Sequence, residues 1–363
     1  MTETQAFVAL NLLPGMGPVR VRRLLARFGS AGAILSANAR ELRQVEGIGS
    51  ETGDTIISWQ DRVDPAKELE KVAAFGARIV SLADPEYPES LRELHDAPIL
   101  LYVWGDPSVL ASSQLGVVGT RKPSHYAAEC AKKLSYQLAY AGITVTSGLA
   151  RGVDALAHQA AIAARGRTVA VLGSGLNNLY PPENRELAEK IAITGAVVSE
   201  FPMDTKPDPR QFPMRNRIIS GLSFGLLVVE AGTKSGSLIS ASQATEQGRS
   251  VYAVPGRIDQ PNALGSNRLI QQGAKLVMSA QDILDDLGLL FSETPKLTKS
   301  APAISLSGSE KTVHEALGDE ETTIDDLIAK CGLPTHEVSS TLLALEMRRL
   351  VKQLPGGRFV KIN

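Results

Sequence analysis

Six short apolar runs, each followed by a polar loop and a helical pattern, constrain the fold of this chain more than any other feature. They are Leu115–Gly119, Ile143–Thr146, Thr168–Leu172, Ala196–Ser199, Leu226–Val229 and Ser250–Val254. Continuous apolar runs, rather than alternating ones, are typical of strands buried on both faces of a parallel sheet. Two similar runs, at Arg78–Leu82 and Ile99–Trp104, precede them. The pattern predicts a doubly wound, mostly parallel α/β domain.

Glycine together with hydroxyl or basic residues follows four of these strands. The loops are Gly119-Thr120-Arg121, Ser147-Gly148 with Arg151-Gly152, Gly173-Ser174-Gly175, and Gly232 to Ser237. Ligands of such sheets bind beyond the carboxyl ends of the strands, and backbone N–H groups at glycine turns and helix starts bind anions. We therefore expect the four loops to converge on an extended anion site. The Gly-x-Gly-x-x-Gly and Walker motifs are absent, so a nicotinamide or ATP role has little support.

The densest basic cluster lies between Thr205 and Arg217. It contains Lys206, Arg210, Arg215 and Arg217 against a single carboxylate, Asp208. Phe212 lies within it, and an aromatic ring among arginines suits stacking on an unpaired base. The alternative is that Arg215 or Arg217 pairs with an internal carboxylate such as Glu200 or Glu230. Of the two arginines, Arg215 is favoured as the ligand contact.

Four titratable residues close to the strand ends are compatible with either chemistry or structure. Asp154 and His158, four residues apart on one helix face, could form a carboxylate-oriented general base. The structural interpretation, in which Asp154 caps the helix and His158 packs or pairs with it, is favoured because no nucleophile is adjacent. Glu200 and Glu230 each follow a strand, where a carboxylate serves either as a base or as an acceptor that holds a loop.

Composition sets the broad class of protein. A chain of 363 residues is long for one domain, and a hydrophobic fraction of 43% is ordinary for a soluble protein. No secretory signal and no apolar run of about 20 residues is visible, so we expect a cytoplasmic protein without a membrane partner. A net charge of −1 requires any polyanion site to be a local concentration of charge. Cys130 and Cys331 are expected to be buried or neutral thiols.

The two ends of the chain predict small accessory domains. Gly15-Met16-Gly17 and Gly47-Ile48-Gly49 each precede a helical pattern, which resembles the helix–hairpin–helix motif; a small helical bundle is the alternative. Residues 292–309 are rich in Ser, Thr, Pro and Lys and are typical of a linker. Helices over Thr323–Cys331 and Thr335–Leu350, followed by strands flanking Pro355-Gly356-Gly357, resemble a winged helix. A second helix that reads duplex DNA is expected to begin with basic residues, but this one begins with His336 and Glu337. A protein-contact role is therefore favoured over duplex reading.

Motifs spread in order along the central region resemble one family. They are Gly119-Thr120-Arg121 with Pro123-Ser124, Ser147 to Asp154 with His158, Leu172 to Gly175, Tyr180 to Asn184, Ser199 to Pro202, Phe212 to Ser223, Glu230-Ala231 with Ser235 to Leu238, and Ala253 to Gly256. Together they are similar to the DNA-processing protein A family (DprA/Smf). The resemblance implies an extended Rossmann domain that binds single-stranded DNA, forms a homodimer, and helps load the RecA recombinase during natural transformation. It implies no catalytic residue, metal or cofactor.

The resemblance also implies which residues contact the strand. Motif positions point to Gly119, Thr120, Arg121, Arg215, Asn216, Ser235, Gly236 and Ser237, to which the loops and the basic cluster add Gly148, Arg151, Gly152, Phe212 and Arg217. The expected domains are 1–63 (helix–hairpin–helix, SAM-like), 64–288 (extended Rossmann), 289–309 (linker) and 310–363 (winged helix).

Two rival functions remain at this stage. One is a nucleotide phosphoribohydrolase-like enzyme acting on nucleoside monophosphates, although its Pro-Gly-Gly-x-Gly-Thr-x-x-Glu signature is missing. The other is a sequence-specific regulator that acts through the winged helix.

Overall fold

The computed structural model describes residues 1–288, 308–317, 322–347, 350–354 and 358–361. Contacts divide the chain into two compact units, Met1–Leu297 and Thr298–Asn363. Most of the predicted linker at 289–309 and the predicted turn at 355–357 lie outside the described residues. The domain boundaries proposed after residues 63, 288 and 309 stay predictions.

Seven helices open the first unit. They are α1 (Glu3–Leu12), α2 (Pro18–Phe28), α3 (Ala31–Ser36), α4 (Ala39–Leu42), α5 (Ser50–Ile57), α6 (Trp59–Arg62) and α7 (Pro65–Phe75). The two predicted Gly-x-Gly turns stand where expected, because Gly17 caps the start of α2 and Gly49 caps the start of α5 in extended conformation. Pro18 occupies the first turn of α2, where its missing N–H leaves no hydrogen bond unmade.

The remainder of the first unit alternates strands and helices. In chain order these are β1 (Arg78–Ser81), α8 (Glu89–Arg92), β2 (Leu100–Gly105), β3 (Gln114–Val118), α9 (His125–Tyr140), β4 (Thr144–Ser147), α10 (Val153–Ala163), β5 (Thr168–Val171), α11 (Arg185–Thr194), β6 (Ala196–Ser199), α12 (Gln211–Leu222), β7 (Gly225–Val228), α13 (Gly236–Glu246), β8 (Ser250–Ala253), α14 (Leu264–Gln271), β9 (Lys275–Leu276) and α15 (Ala280–Gly288). Short 3-10 turns lie at Pro107–Ala111, Leu176–Asn178, Pro182–Asn184 and Pro261–Ala263.

The nine strands form one sheet in the order β1-β2-β6-β5-β4-β3-β7-β8-β9. The pairings β1–β2 and β2–β6 are antiparallel, and all pairings from β6 to β9 are parallel. The chain winds outward from β3 through β4, β5 and β6, then returns to the other side of β3 with β7. This reversal creates a switch point between β3 and β7, where open α/β sheets bind their ligands. The predicted doubly wound, mostly parallel sheet is confirmed.

The helices at the beginning of the chain share a hydrophobic core with one face of the sheet. Phe7 and Leu10 of α1 belong to the same buried cluster as Leu100 and Tyr102 of β2. Hydrogen bonds reinforce the contact, because Asn11 Nδ2 donates to the carbonyl oxygen of Glu200 at 3.1 Å. The first 75 residues are therefore held against the sheet by apolar packing as well as by polar contacts.

The second unit is a small winged helix with its own core. Its elements are α16 (Gly308–Ala316), β10 (Thr322–Thr323), α17 (Ile324–Cys331), α18 (Thr335–Met347), β11 (Val351–Leu354) and β12 (Arg358–Lys361), and its strands pair in the order β10-β12-β11. Val338, Leu342 and Leu345 of α18 are buried, as their spacing predicted. Arg348 and Arg349 lie outside the described residues.

Membrane spans, metal clusters and cysteines were considered in the sequence and can be compared with the described residues. Among the described residues, no helix has the length and apolar character needed to cross a membrane. The same residues include no group of three or more His, Cys, Asp or Glu side chains placed to hold a metal ion. Cys130 and Cys331 are half-buried free thiols.

Candidate nucleic-acid interface

A cavity of about 940 Å³ lies at the carboxyl ends of β3 and β7, at the switch point of the sheet. We call it the main cavity. The loop after β3, the first two turns of α12, the loop after β7 and the start of α13 line it, and Tyr180 and Asn262 complete its wall. Two of the four predicted loops therefore meet at this cavity, and a third borders it.

The loop after β3 is fixed by Glu230, which follows β7. Glu230 is buried, and its two carboxylate oxygens accept the backbone N–H of Ser124 at 2.9 Å and its hydroxyl at 2.6 Å. The backbone N–H of Thr120 donates to the carbonyl oxygen of Glu230 at 2.8 Å. Of the two roles open to Glu230 in the sequence, the structure shows the loop-holding one. Gly119, Thr120 and Arg121 are thereby presented to the main cavity.

The loop after β4 is held through the peptide groups of Gly148. Its N–H donates to Asp154 Oδ2 at 3.1 Å, and its carbonyl oxygen accepts from Arg215 Nη1 at 2.7 Å. A Cβ at Gly148 would lie 2.5 Å from Nη2 of Arg215, so the close approach requires glycine. Gly148 and Arg151 line a small cleft that adjoins the main cavity and shares Arg121, Phe212 and Arg215 with it.

Gly152 serves the backbone of this loop rather than either cavity. It has a φ of +77°, and a Cβ there would lie 2.4 Å from the carbonyl oxygen of Thr120. It appears in the lining of neither the main cavity nor the adjoining cleft. Its contribution is to let the loops after β3 and β4 pass close to each other.

The face of α12 toward the main cavity carries Phe212, Arg215, Asn216 and Ile219. The spacing i, i+3, i+4, i+7 is that of one helix face. The Phe212 ring lies 5.9 Å from the Tyr180 ring between centroids, and Cζ of Arg121 lies 5.7 Å from the centroid of Phe212. The predicted juxtaposition of Phe212 with arginine is therefore present, although the partner is Arg121 from another loop.

Arg215 forms part of the cavity floor and is largely buried. Its guanidinium donates to the carbonyl oxygens of Gly148 and Val171 and lies near the carboxylate of Asp154. Burial lowers the pKa of Arg215 to about 10, so the side chain remains charged at neutral pH. The same burial raises the pKa of Asp154, against the opposing charge of Arg215. Arg215 thus contributes charge to the site while its hydrogen bonds hold the protein backbone.

Arg217 points away from the main cavity, which corrects its inclusion among the expected contacts. Its guanidinium is 7% exposed and pairs with Glu200 and, at 3.4 Å, with Asp96. The residue shares α12 with Arg215 but lies on the opposite face, because two positions along a helix turn by about 200°. The alternative considered from the sequence, an internal ion pair with Glu200, is the one that the structure shows.

The loop after β5 does not line the main cavity, which corrects the expectation that all four loops converge there. Ser174 is buried. A Cβ at Gly175 would lie 2.1 Å from the carbonyl oxygen of Pro202, and one at Gly173 would lie 2.7 Å from Cδ1 of Phe212. These glycines allow close packing beneath Phe212, so the loop supports the aromatic ring rather than presenting N–H groups to a ligand.

The loop after β7 brings a helix start to the main cavity. Ser235 caps α13, and its hydroxyl lies 2.7 Å from the hydroxyl of Ser237. Ser235, Gly236 and Ser237 all line the cavity. A helix N-terminus carries partial positive charge and N–H groups without intrahelical partners, so this end of α13 favours an anion.

Three exposed cations surround the main cavity without a carboxylate partner. Arg121, Lys122 and Lys234 line it, and none of them forms an ion pair within the described part of the chain. By contrast, Arg151 pairs with Glu183 and Arg210 pairs with Asp208 at 2.8 Å. Three cations without a carboxylate partner are therefore grouped at the loops after β3 and β7, around the main cavity.

The Asp154–His158 pair has a structural role. His158 is fully buried, its Nδ1 lies 2.6 Å from the hydroxyl of Thr168, and burial lowers its pKa to about 3. Because the Thr168 hydroxyl donates to the carbonyl oxygen of Val145, it accepts from Nδ1–H of His158. Asp154 instead holds Gly148. The imidazole does not line the cavity, so both residues are structural, as favoured from the sequence. The expected helix cap is wrong, because Gly152 is the N-cap of α10 and Asp154 accepts from Gly148 instead.

Sequence reasoning missed three residues of this site. Lys122 and Lys234 stand beside residues that the motifs singled out, and their signal was an unpaired charge inside a glycine loop. Tyr180 lies in the segment after β5, and no local pattern predicts that this segment reaches Phe212 of α12. Such a contact depends on how distant loops fold back on each other.

Comparison with known proteins agrees with the geometry of the cavity. The model of the DNA recombination-mediator protein A family matches residues 78–288, which are the sheet from β1 to α15. The chain belongs to this family. A model of the DprA winged helix domain matches residues 298–357, and one of a SAM-like helix-hairpin-helix tandem matches residues 7–58. The predicted family and the predicted fold class are both confirmed.

Individual members of the recombination-mediator family are similar over most of the chain. Protein Smf of Synechocystis is 35% identical, with 99% of this chain and 98% of the relative aligned. The X-ray structure of DNA processing protein A from Streptococcus pneumoniae superposes with a TM-score of 0.70 at 32% identity and covers 79% of this chain and 98% of its own. A structure of DNA processing protein A from Helicobacter pylori, described for its single-stranded DNA binding mode, superposes with a TM-score of 0.54 at 29% identity. It covers 59% of this chain and 97% of its own.

Proposed function

We propose that this recombination mediator binds single-stranded DNA in the main cavity. The observation that carries the proposal is the convergence of unpaired cations, a helix start and an aromatic ring at the switch point of the sheet. Arg121, Lys122 and Lys234 supply charge for phosphates, the start of α13 supplies N–H groups, and Phe212 supplies a stacking surface. The single-strand binding mode described for the Helicobacter pylori relative supports the same ligand.

A single strand fits these groups better than a duplex. Stacking on Phe212 requires a base that is not already stacked and paired, which only a single strand provides at low energetic cost. The site is also a cavity, whereas direct reading of a duplex requires an element that enters a groove. The proposed contacts are Gly119, Thr120, Arg121, Phe212, Asn216, Ser235, Gly236 and Ser237, with Arg215 beneath them and Gly148 and Arg151 at the adjoining cleft.

Fluorescence anisotropy with labelled oligo-dT and a matched duplex tests the ligand class. We expect tighter binding of the single strand, and we expect Arg121→Ala to weaken it. Arg210→Ala is the matched control, because Arg210 is also exposed but pairs with Asp208 and does not line the cavity. Equal affinity for both DNA forms, or equal binding by the two variants, would overturn the proposal.

The downstream role we propose is the loading of RecA onto the bound strand during recombination and natural transformation. Membership in the recombination-mediator family supports it. The checking measurement is RecA-dependent ATP hydrolysis on single-stranded DNA that is coated with a single-strand-binding protein. Addition of this protein should shorten the lag before hydrolysis, and Arg121→Ala should restore the lag. An unchanged lag with the wild-type protein would contradict the loading role.

We further propose that the chain acts as a homodimer through the sheet domain. The β9 edge supports this, because within the described part of the chain β9 pairs only with β8. Leu276 of β9 is 41% exposed, and Met278, two residues further on, is 81% exposed. An open strand edge with exposed apolar side chains is a template for association. Two sites on one assembly would raise the apparent affinity for a long strand. Analytical sedimentation compares the fraction of dimer in the wild type with the fraction in Met278→Lys.

The proposal places no catalytic step in the cavity. Both carboxylate oxygens of Glu230 accept hydrogen bonds from Ser124, and the His158 ring is buried beneath the loops. Incubation with AMP should therefore release no free adenine. Release that Glu230→Gln abolishes would establish the phosphoribohydrolase-like alternative instead.

A further inference from the structure

Tyr180 forms a wall between two cavities. Its side chain lines the main cavity and also a second cavity of about 300 Å³, which we call the side cavity. Asn177, Asn178, Pro182, Arg185 and Pro207 line the side cavity with it. Its volume lies at the lower end of the range for small-molecule pockets. A ring shared in this way offers aromatic surface to occupants of both cavities.

Two asparagines give the side cavity a defined hydrogen-bonding character. Asn177 Nδ2 donates to Asp204 Oδ1 at 2.7 Å, and Asn178 Nδ2 donates to the carbonyl oxygen of Asp204 at 2.8 Å. Because both partners can only accept, the amide orientations are fixed. The side-chain oxygens of Asn177 and Asn178 have no hydrogen-bond partner within the described residues and remain available as acceptors.

A cation stands at the rim of the side cavity. Arg185, in the first turn of α11, is 66% exposed, and its only ion pair with another described residue is a 3.5 Å contact with Glu189 on the same helix. An exposed helical pair of this kind is weak and gives way to a stronger anion at little cost. The side cavity thus joins an aromatic surface, two oxygen acceptors and a displaceable cation.

We propose that the side cavity is a second nucleobase subsite, which receives a base of the strand held in the main cavity and favours bases with an exocyclic amino group. The inference rests on the proposed function, since the strand reaches this subsite across Tyr180. The amino groups of cytosine and adenine donate to the Asn177 and Asn178 oxygens, whereas thymine presents carbonyl oxygens at the equivalent positions. Arg185 contacts the adjacent phosphate.

The experiment compares oligo-dC with oligo-dT of equal length, about 16 nucleotides, at neutral pH by anisotropy. We expect the wild-type protein to bind oligo-dC about threefold to tenfold more tightly, because one or two additional hydrogen bonds form. Asn177→Ala should abolish the preference while leaving oligo-dT affinity unchanged. Arg185→Ala should weaken both ligands, and Lys190→Ala, a charge-matched change elsewhere on α11, should weaken neither.

The outcomes separate this inference from the function on which it rests. Absence of single-strand binding by the wild type would overturn both. Normal oligo-dT binding that is sensitive to Arg121→Ala, together with equal affinity for oligo-dC, would overturn the subsite alone. The wild-type comparison does not depend on the folding of any variant, and a thermal melt of Asn177→Ala establishes whether the loop around Asp204 persists.

Discussion

Arg121 and Arg215 bring the same chemical group to the same cavity, but their surroundings give them different roles. Arg121 is exposed, its guanidinium lies over the Phe212 ring, and it forms no ion pair among the described residues, so its charge is available to a ligand. Arg215 is buried and donates to two backbone carbonyl oxygens near Asp154. A buried guanidinium of this kind stabilises the folded loop in addition to any ligand.

Arg215→Ala is therefore expected to destabilise the protein as well as to weaken DNA binding. The change removes a hydrogen-bond donor from the carbonyl oxygens of Gly148 and Val171 and leaves the Asp154 carboxylate without its compensating charge. We expect a loss of about 3 kcal/mol in the free energy of unfolding. Thermal unfolding of Arg215→Ala and Arg121→Ala side by side provides the measurement. Equal melting temperatures for the two variants would refute the buried role of Arg215.

His158 predicts how stability depends on pH. Burial lowers its pKa to about 3, whereas in the unfolded chain it titrates near 6.5. Between these values the unfolded state binds the proton and the folded state does not. Stability is therefore intact above about pH 6.5 and falls on acidification by up to about 1.4 kcal/mol per pH unit.

The matched variant for this prediction is His158→Asn. Asparagine keeps a donor toward the Thr168 hydroxyl but does not titrate. Urea unfolding of both proteins at pH 7 and pH 5.5 isolates the histidine from other titrating groups, because those are common to the pair. The difference in the free energy of unfolding between wild type and variant should become smaller on acidification. A constant gap would show that His158 is not the responsible group.

At the scale of elements, α12 connects the sheet core with the ligand site. One face of it carries Phe212, Arg215 and Asn216 toward the main cavity, and the other carries Arg217 into an ion pair with Glu200. The loop after β5 sets the position of its first turn, because Gly173 packs against the Phe212 ring. The position of Phe212 in the site therefore depends on Gly173, which does not itself line the main cavity.

Gly173→Ala should weaken single-strand binding through Phe212. A Cβ at this position would lie 2.7 Å from Cδ1 of Phe212, so the ring must shift. We expect a loss of about 1 to 3 kcal/mol in binding, the usual contribution of one base–aromatic stack. Gly53→Ala is the control, because Gly53 lies within α5, does not line the main cavity, and a Cβ there meets only Cγ of Arg43, at 4.0 Å. Oligo-dT titrations that show the same affinity for both variants would exclude this role of the loop.

The sequence predicts elements better than contacts, for identifiable reasons. Each of the six parallel-sheet runs is found as a strand within one residue at either end, because a strand buried on both faces must be apolar throughout. The two-residue strand β9 is exposed and has no such signal. Arg217 and Arg215 are indistinguishable by type, and only the fold brings Asp96 and Glu200 to one of them. Tyr180 likewise reaches Phe212 through tertiary contact alone.

At the scale of the whole molecule, the first helices and the sheet form one compact unit. Phe7 and Leu10 belong to a single buried cluster with Tyr102 and Val197. Arg22 donates to the carbonyl oxygens of Arg92, the last residue of α8, and of Leu94. The winged helix has a separate core. The helix–hairpin–helix segment is thus coupled to the stability of the sheet domain, whatever it contacts in addition.

Two truncations test this coupling. Deletion of residues 1–63 exposes apolar surface on the sheet and should lower the melting temperature of the remaining chain sharply or cause aggregation. Deletion of residues 298–363 should leave the melting temperature of the first unit nearly unchanged. Calorimetry of both truncated chains makes the comparison. If deletion of residues 1–63 left the melting temperature of the sheet domain unchanged, the shared core would be contradicted.

The whole-molecule charge distribution leads to the most direct test of the account. The chain carries a net charge of −1, so the proposed affinity for a polyanion requires a local group of cations, which the main cavity provides. The decisive measurement is the slope of log affinity against log salt for oligo-dT, compared between wild type, Arg121→Ala and Arg210→Ala. Each phosphate contact on a single strand contributes about −0.7 to this slope. The account predicts that Arg121→Ala makes the slope shallower by about that amount and that Arg210→Ala leaves it unchanged, whereas identical slopes for all three proteins would contradict it.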